Sequence, residues 1–138
     1  MFTANVYRVM VCSLSGTIEE VSVVRDVVRR WNQVNAERSG KVYMLVEESA
    51  HHDDVDVMIC IVGSWVEKTE VVDAFIAAGK KVMLFFNGYH DPKKTIQIEE
   101  KDVFVFKHRI QDSCNTDEYK GMDDLKRIVE VELETLLN

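Results

Sequence analysis

Short apolar runs alternate along this chain with longer segments of helical period. Val6–Cys12 (VYRVMVC) is β-branched and almost wholly apolar, the pattern of a strand buried on both faces. Ser13-Leu14-Ser15-Gly16-Thr17 follows as loop chemistry, and Thr17 with Glu20 has capping-box spacing that predicts a helix start. That helix carries Val21, Val24, Val28 and Trp31 on one stripe, with Val23, Val27 and Val34 beside it, so the pattern predicts deep packing. Gly40 is its expected stop.

Lys41–Val46 predicts a second strand and Val55–Val62 (VDVMICIV) a central one. Ser64-Trp65-Val66-Glu67 has capping-box spacing again, and a helix is expected to run from there to Ala78. It has Val72, Phe75 and Ile76 inward and Gly79 as its stop. Lys81–Phe86 predicts a fourth strand, and Asn87–Lys94 is a polar loop holding the only proline, Pro92. Ile96–Gln111 is ambiguous: Val103-Phe104-Val105-Phe106 favours a strand by propensity, whereas Val103, Phe106 and Ile110 sit at helical spacing. The helix is preferred, leaving Cys114–Tyr119 as a short edge strand. Gly121 precedes a terminal helix with Leu125, Val129, Leu133 and Leu136 on one face. This alternation predicts an α/β domain: a mostly parallel sheet of four to five strands with helices on both faces, three layers in all. In such sheets ligands bind at the carboxyl ends of the strands, at a topological switch point.

Composition narrows the picture. At 138 residues the chain reads as one domain, 1–138, able to bury roughly two-thirds of its unfolded surface without disulfides. Lys plus Arg number 17 and Asp plus Glu 24, a net charge of −7, which argues against nucleic acid or an anionic membrane as partner. No apolar run reaches the roughly 18 residues of a membrane span. The first residues, Met1-Phe2-Thr3-Ala4-Asn5, lack a signal-peptide pattern. The three cysteines, Cys12, Cys60 and Cys114, are odd in number and widely spaced. A reduced, cytoplasmic protein is expected.

Val9–Ser13, Glu19-Glu20, Arg25-Asp26-Val27-Val28, Trp31-Asn32, Ile61–Trp65 and, most closely, Ile76–Phe86 (IAAGKKVMLFF) together resemble the TIR-like domains of the DUF4062 group. The tail from Tyr119 through Leu125-Lys126 to Leu136-Leu137-Asn138 also fits, so the resemblance spans most of the chain. It implies a three-layer flavodoxin-like, TIR-like domain that handles NAD or an ADP-ribose-class nucleotide as substrate or ligand, with no resident cofactor. In enzymatic relatives a glutamate on the helix after the third strand stabilises the ribosyl cation of N-glycosidic cleavage, the task a carboxylate suits. The matching position here is Glu70, with Glu67 nearby. The chain departs from the family twice. The long helical insert between the second and third strands is reduced to Glu47–Asp54, and the second family glutamate is Val71, with Val66-Glu67-Lys68 in place of a Ser-Gly-Thr run. Eight residues span at most about 26 Å. The link therefore either crosses back as bare extended chain or leaves the second strand antiparallel to the third, and a less covered sheet edge is expected to favour a homo-oligomer.

The candidate nucleotide contacts are Ser13, Ser15, Gly16, Thr17, Ser64 and Trp65. The first loop precedes a helix N-terminus, where free amides and the dipole favour phosphate; simple capping is the alternative. Trp65 suits stacking on a base, or closing a helix end. Asn87, Gly88, Tyr89 and His90 follow the fourth strand and are candidates for the same rim. Glu70 and Glu67 are the candidate catalytic carboxylates; a lone helix glutamate is otherwise a solvated face residue. The three readings are a glycohydrolase, a nucleotide-capturing module without catalysis, and a protein–protein adaptor in immune signalling. No metal site is expected: His51-His52-Asp53-Asp54 is suggestive, but adjacent histidines on extended chain point to opposite sides.

Overall fold

A computed structural model describes residues 2–88 and 98–136, with side chains of 98–100 left aside. Among the described residues, five strands and four helices follow in the order β1 (Asn5–Ser13), α1 (Ile18–Ser39), β2 (Lys41–Val46), β3 (Val57–Val62), α2 (Thr69–Ala77), β4 (Lys81–Asn87), α3 (Ile98–Ile110), β5 (Asn115–Tyr119) and α4 (Met122–Thr135). The sheet order is β2-β1-β3-β4-β5, and each neighbouring pair is parallel. The α/β architecture agrees with the sequence, and the order puts the switch point between β1 and β3.

Two apolar cores flank the sheet. On one face α1 and α4 bring Val24, Val28, Trp31, Leu125, Val129 and Leu133 onto Val9, Val11, Tyr43, Ile59 and Phe85. On the other, α2 and α3 bring Val72, Phe75, Val103, Phe106 and Ile110 onto Met10, Met58, Cys60, Leu84 and Phe86. β3 is buried at every position, as its unbroken apolar run requires. In the segment of mixed signals, Val103, Phe106 and Ile110 are buried while Phe104 and Val105 are 55% and 69% exposed. Helical period therefore wins over strand propensity.

The shortened link settles the direction of β2. It returns to a parallel β3 with only a single 3₁₀ turn, His52–Asp54. Among the described residues no helix covers this corner of the α2/α3 face, and Val6 and Met44 are 56% and 46% exposed. The edge of β2 is nevertheless guarded. The Asn32 side-chain amide donates to the Tyr43 carbonyl at 2.8 Å and its oxygen accepts the Tyr43 amide at 2.9 Å, a peptide-like cap on the outer strand of the kind that blunts edge pairing.

Three local expectations change. Val34 is 70% exposed rather than packed, because α1 turns it past the edge of α4's cover. Neither anticipated capping box forms. Thr17 makes no side-chain cap, since its hydroxyl is engaged by Ser13. The second helix begins at Thr69, not near Ser64, because the Glu67 amide is drawn to the Leu14 carbonyl at 2.8 Å and Lys68 turns left-handed, φ 55°.

Candidate functional site

The carboxyl ends of β1 and β3 carry two loops, 13–17 and 63–68, knitted together by short polar bonds. The Ser13 hydroxyl accepts the amides of Ser15 at 3.0 Å and Thr17 at 2.8 Å, and lies 2.7 Å from the Thr17 hydroxyl. The Gly63 amide donates to Ser15 Oγ at 2.9 Å, and the Leu14 amide to the Ile61 carbonyl at 3.1 Å. Small polar residues are needed here: a Cβ on Gly63 would stand 3.0 Å from Thr17 Cγ2. The run therefore serves loop architecture. Ser15 is buried at 5% exposure and spends its hydroxyl inside the protein.

Trp65 sits on this scaffold. Gly16 is left-handed at φ +68°, and a Cβ there would meet Trp65 Cζ2 at 3.3 Å. The indole thus rests against bare backbone, with 38% of its surface open. A part-exposed aromatic ring held against a glycine turn, at the switch point, offers a surface on which a planar group can stack. Ser64 beside it is exposed. The structure thus brings Ser13, Ser15, Gly16, Thr17, Ser64 and Trp65 to one end of the sheet, in two interlocked loops.

The carboxylates are arranged differently. Glu67 is exposed and tied through its amide to the first loop. Glu70 is exposed too and lies in the first turn of α2, nearer the strand ends than a helix starting at Ser64 would put it. Neither side chain is shielded from water. Lys68, between them, adds a positive charge at the same end. Glu19 and Glu20 in the first turn of α1 suit the helix dipole but oppose a second anion there.

A neighbouring cleft of about 370 Å³ opens one strand over, lined by Glu20, Asn87, Tyr119, Lys120, Gly121 and Met122. Only Asn87 was a candidate from sequence; Tyr89 and His90 lie outside the described residues. Burial, with Glu20 nearby, pushes the Tyr119 hydroxyl up to about 12, so it remains a neutral donor at this edge. The remaining lining could not be read along the chain, because it depends on β5 lying beside β4 with the α1 N-terminus over their ends.

The histidines depart from the geometry expected of them. His51 is extended, but the chain turns at His52, and the two rings come side by side with centroids 4.0 Å apart. Cys12 and Cys60 are buried core thiols, and burial, with Cys12 beside it, raises Cys60 well above the ordinary thiol range.

No family model matches the sequence, and no curated protein is similar to it. Solved structures share the fold. A short-chain flavodoxin associated with a bacterial microcompartment is 15% identical, with a TM-score of 0.53, over 98% of this chain and 99% of that one. A flavodoxin from the domain Archaea is 7% identical, TM-score 0.55, over 95% and 99%. A homoserine dehydrogenase of S. aureus is 7% identical, TM-score 0.50, with 83% of this chain on 33% of that one. The chain has a flavodoxin-like α/β fold. Identities this low speak to architecture alone.

Proposed function

We propose that this domain captures a nucleotide of the NAD or ADP-ribose class in the crevice above β1 and β3. The observation that carries the reading is Trp65, part-exposed and seated on Gly16 at the switch point. Its ring stacks on a base or nicotinamide, amides at the α1 N-terminus reach the phosphates against the repulsion of Glu19 and Glu20, and Lys68 offsets part of that negative charge. Capture is favoured over cleavage because Glu67 and Glu70 are both exposed. A carboxylate that stabilises a ribosyl cation works best where water is excluded.

Cleavage is the second reading, and Glu70 favours it by standing at the first turn of α2. Incubation with NAD separates the two. Capture gives no nicotinamide release, and NAD returns intact after denaturation. Cleavage gives turnover that falls about 10²-fold or more in Glu70→Gln while binding survives. FMN is included in the panel, since this strand order accommodates it at the same switch point in flavodoxins. Self-association draws on a separate observation, the uncovered Val6 and Met44, and sizing by light scattering tests it: a mass above 15.9 kDa supports an assembly or adaptor role.

A further inference from the structure

The link between β2 and β3 carries three potential ligands in consecutive positions, held by a turn. The Asp54 amide donates to the His51 carbonyl at 2.8 Å and the Val55 amide to that of His52 at 3.3 Å. Val55 is fully buried and anchors the turn to the core. His51, His52 and Asp53 then face one another. The Asp53 carboxylate stands 3.5 Å from His51 Nδ1 and 3.2 Å from His52 Nδ1, and the donor atoms of all three fall within 4.8 Å of one another. Ligands about 2.0–2.2 Å from a tetrahedral ion are themselves roughly 3.3–3.6 Å apart. The turn therefore comes close to the required spacing before any ion arrives.

A further observation points to a ligand. His52 Nδ1 is shut off from solvent and makes no hydrogen bond among the described residues, with the Asp53 carboxylate 3.2 Å away, an expensive arrangement that a cation between them relieves. Its ring stands edge-on to Phe75 at 6.1 Å, which holds its orientation. His51 Nδ1 accepts the Asp53 amide at 3.2 Å, a hydrogen bond at the exposed turn that a metal taking the same lone pair displaces.

We propose that His51, His52 and Asp53 form a binding site for a late first-row divalent ion, Zn²⁺ being the reference case. Two imidazoles and one carboxylate suit Zn²⁺, Cu²⁺ or Ni²⁺ rather than Mg²⁺ or Ca²⁺. Water completes the coordination, because His51 and Asp53 are 62% and 76% exposed. The site is remote from the crevice. Phe75 lies near the end of α2, and α2 starts at the carboxyl end of β3 and leads to the amino end of β4. Metal there clips the bare link in place of the helix a longer crossover would have.

The test uses the untagged full chain in competition with a chromogenic zinc chelator. Wild type takes up one equivalent of Zn²⁺. His51→Ala, His52→Ala and Asp53→Asn each bind at least about 10–100-fold more weakly, the loss expected even for an outer-shell partner. Circular dichroism checks each fold: His51→Ala and Asp53→Asn change exposed groups and stay folded, so they carry the test even where His52→Ala, which loses the Phe75 contact, does not. With Cu²⁺, electron paramagnetic resonance gives coupling to two imidazole nitrogens, reduced to one in His51→Ala. Zn²⁺ uptake absent from wild type, or unchanged in all three variants, overturns the proposal. So does a Cu²⁺ spectrum indifferent to both histidines.

Discussion

Replacing Asn32 by Ala removes both hydrogen bonds that close the backbone of Tyr43, at 2.8 and 2.9 Å. A typical bond is worth about 0.5–1.5 kcal/mol net, which gives about 1–3 kcal/mol for the pair. Water can reach part of the exposed edge, so the lower half applies, about 1–2 kcal/mol. For a chain of this length that is a fall in Tm of roughly 4–8 °C. Urea unfolding followed by circular dichroism reads it as a lower midpoint at unchanged slope. Asn32→Asp distinguishes the cause: it keeps an acceptor for the Tyr43 amide but sets a carboxylate against the Tyr43 carbonyl, so it is no better than Ala. Gln33→Ala, at the next and exposed position, leaves stability within about 0.5 kcal/mol. The freed edge also pairs with a second chain, giving a mass that grows with concentration. Wild-type stability in both Asn32 variants, with no added association, refutes the capping role.

Gly16→Ala forces a Cβ into a left-handed residue 3.3 Å from the Trp65 ring; it costs about 1 kcal/mol or more and shifts tryptophan emission as the indole is displaced. In alkali, burial holds the Tyr43 and Tyr119 hydroxyls at about 12. The unfolded chain, with tyrosines near 10, therefore loses protons first. Stability is intact below about pH 10 and falls as pH rises towards about 12, each ring adding up to about 1.4 kcal/mol per unit; Tyr119→Phe makes the urea midpoint less steep across that window.

Elements carried by periodicity were legible before the fold was known. Lys41–Val46 is a strand as anticipated. Gly40 and Gly79 stop their helices at φ 70° and 75°, and α3 obeyed Val103, Phe106 and Ile110. What depends on contacts between distant segments was not legible. Ser64–Glu67 has the spacing of a cap but becomes loop because Leu14 claims the Glu67 amide. Asn32 looks like an ordinary helix residue until β2 arrives beside it. Within the candidate site, the loops and Trp65 follow from strand order and were readable. The use of Ser13 and Ser15 as internal struts was not, since a hydroxyl in a loop sequence does not reveal its partner. The side-by-side placement of the His51 and His52 rings was not legible for a local reason: a 3₁₀ turn stands where the run of residues suggests extended chain.

The account rests on Trp65 as the platform of the crevice, and calorimetric titration with ADP-ribose and NAD tests it most directly. Wild type binds. Trp65→Ala binds roughly 10–100-fold more weakly, the equivalent of about 1–3 kcal/mol for base–aromatic stacking. Asn32→Ala, altered at the sheet edge away from the crevice, binds as wild type does. Equal affinity in wild type and a folded Trp65→Ala protein, or no binding of either nucleotide at millimolar concentration, contradicts the account.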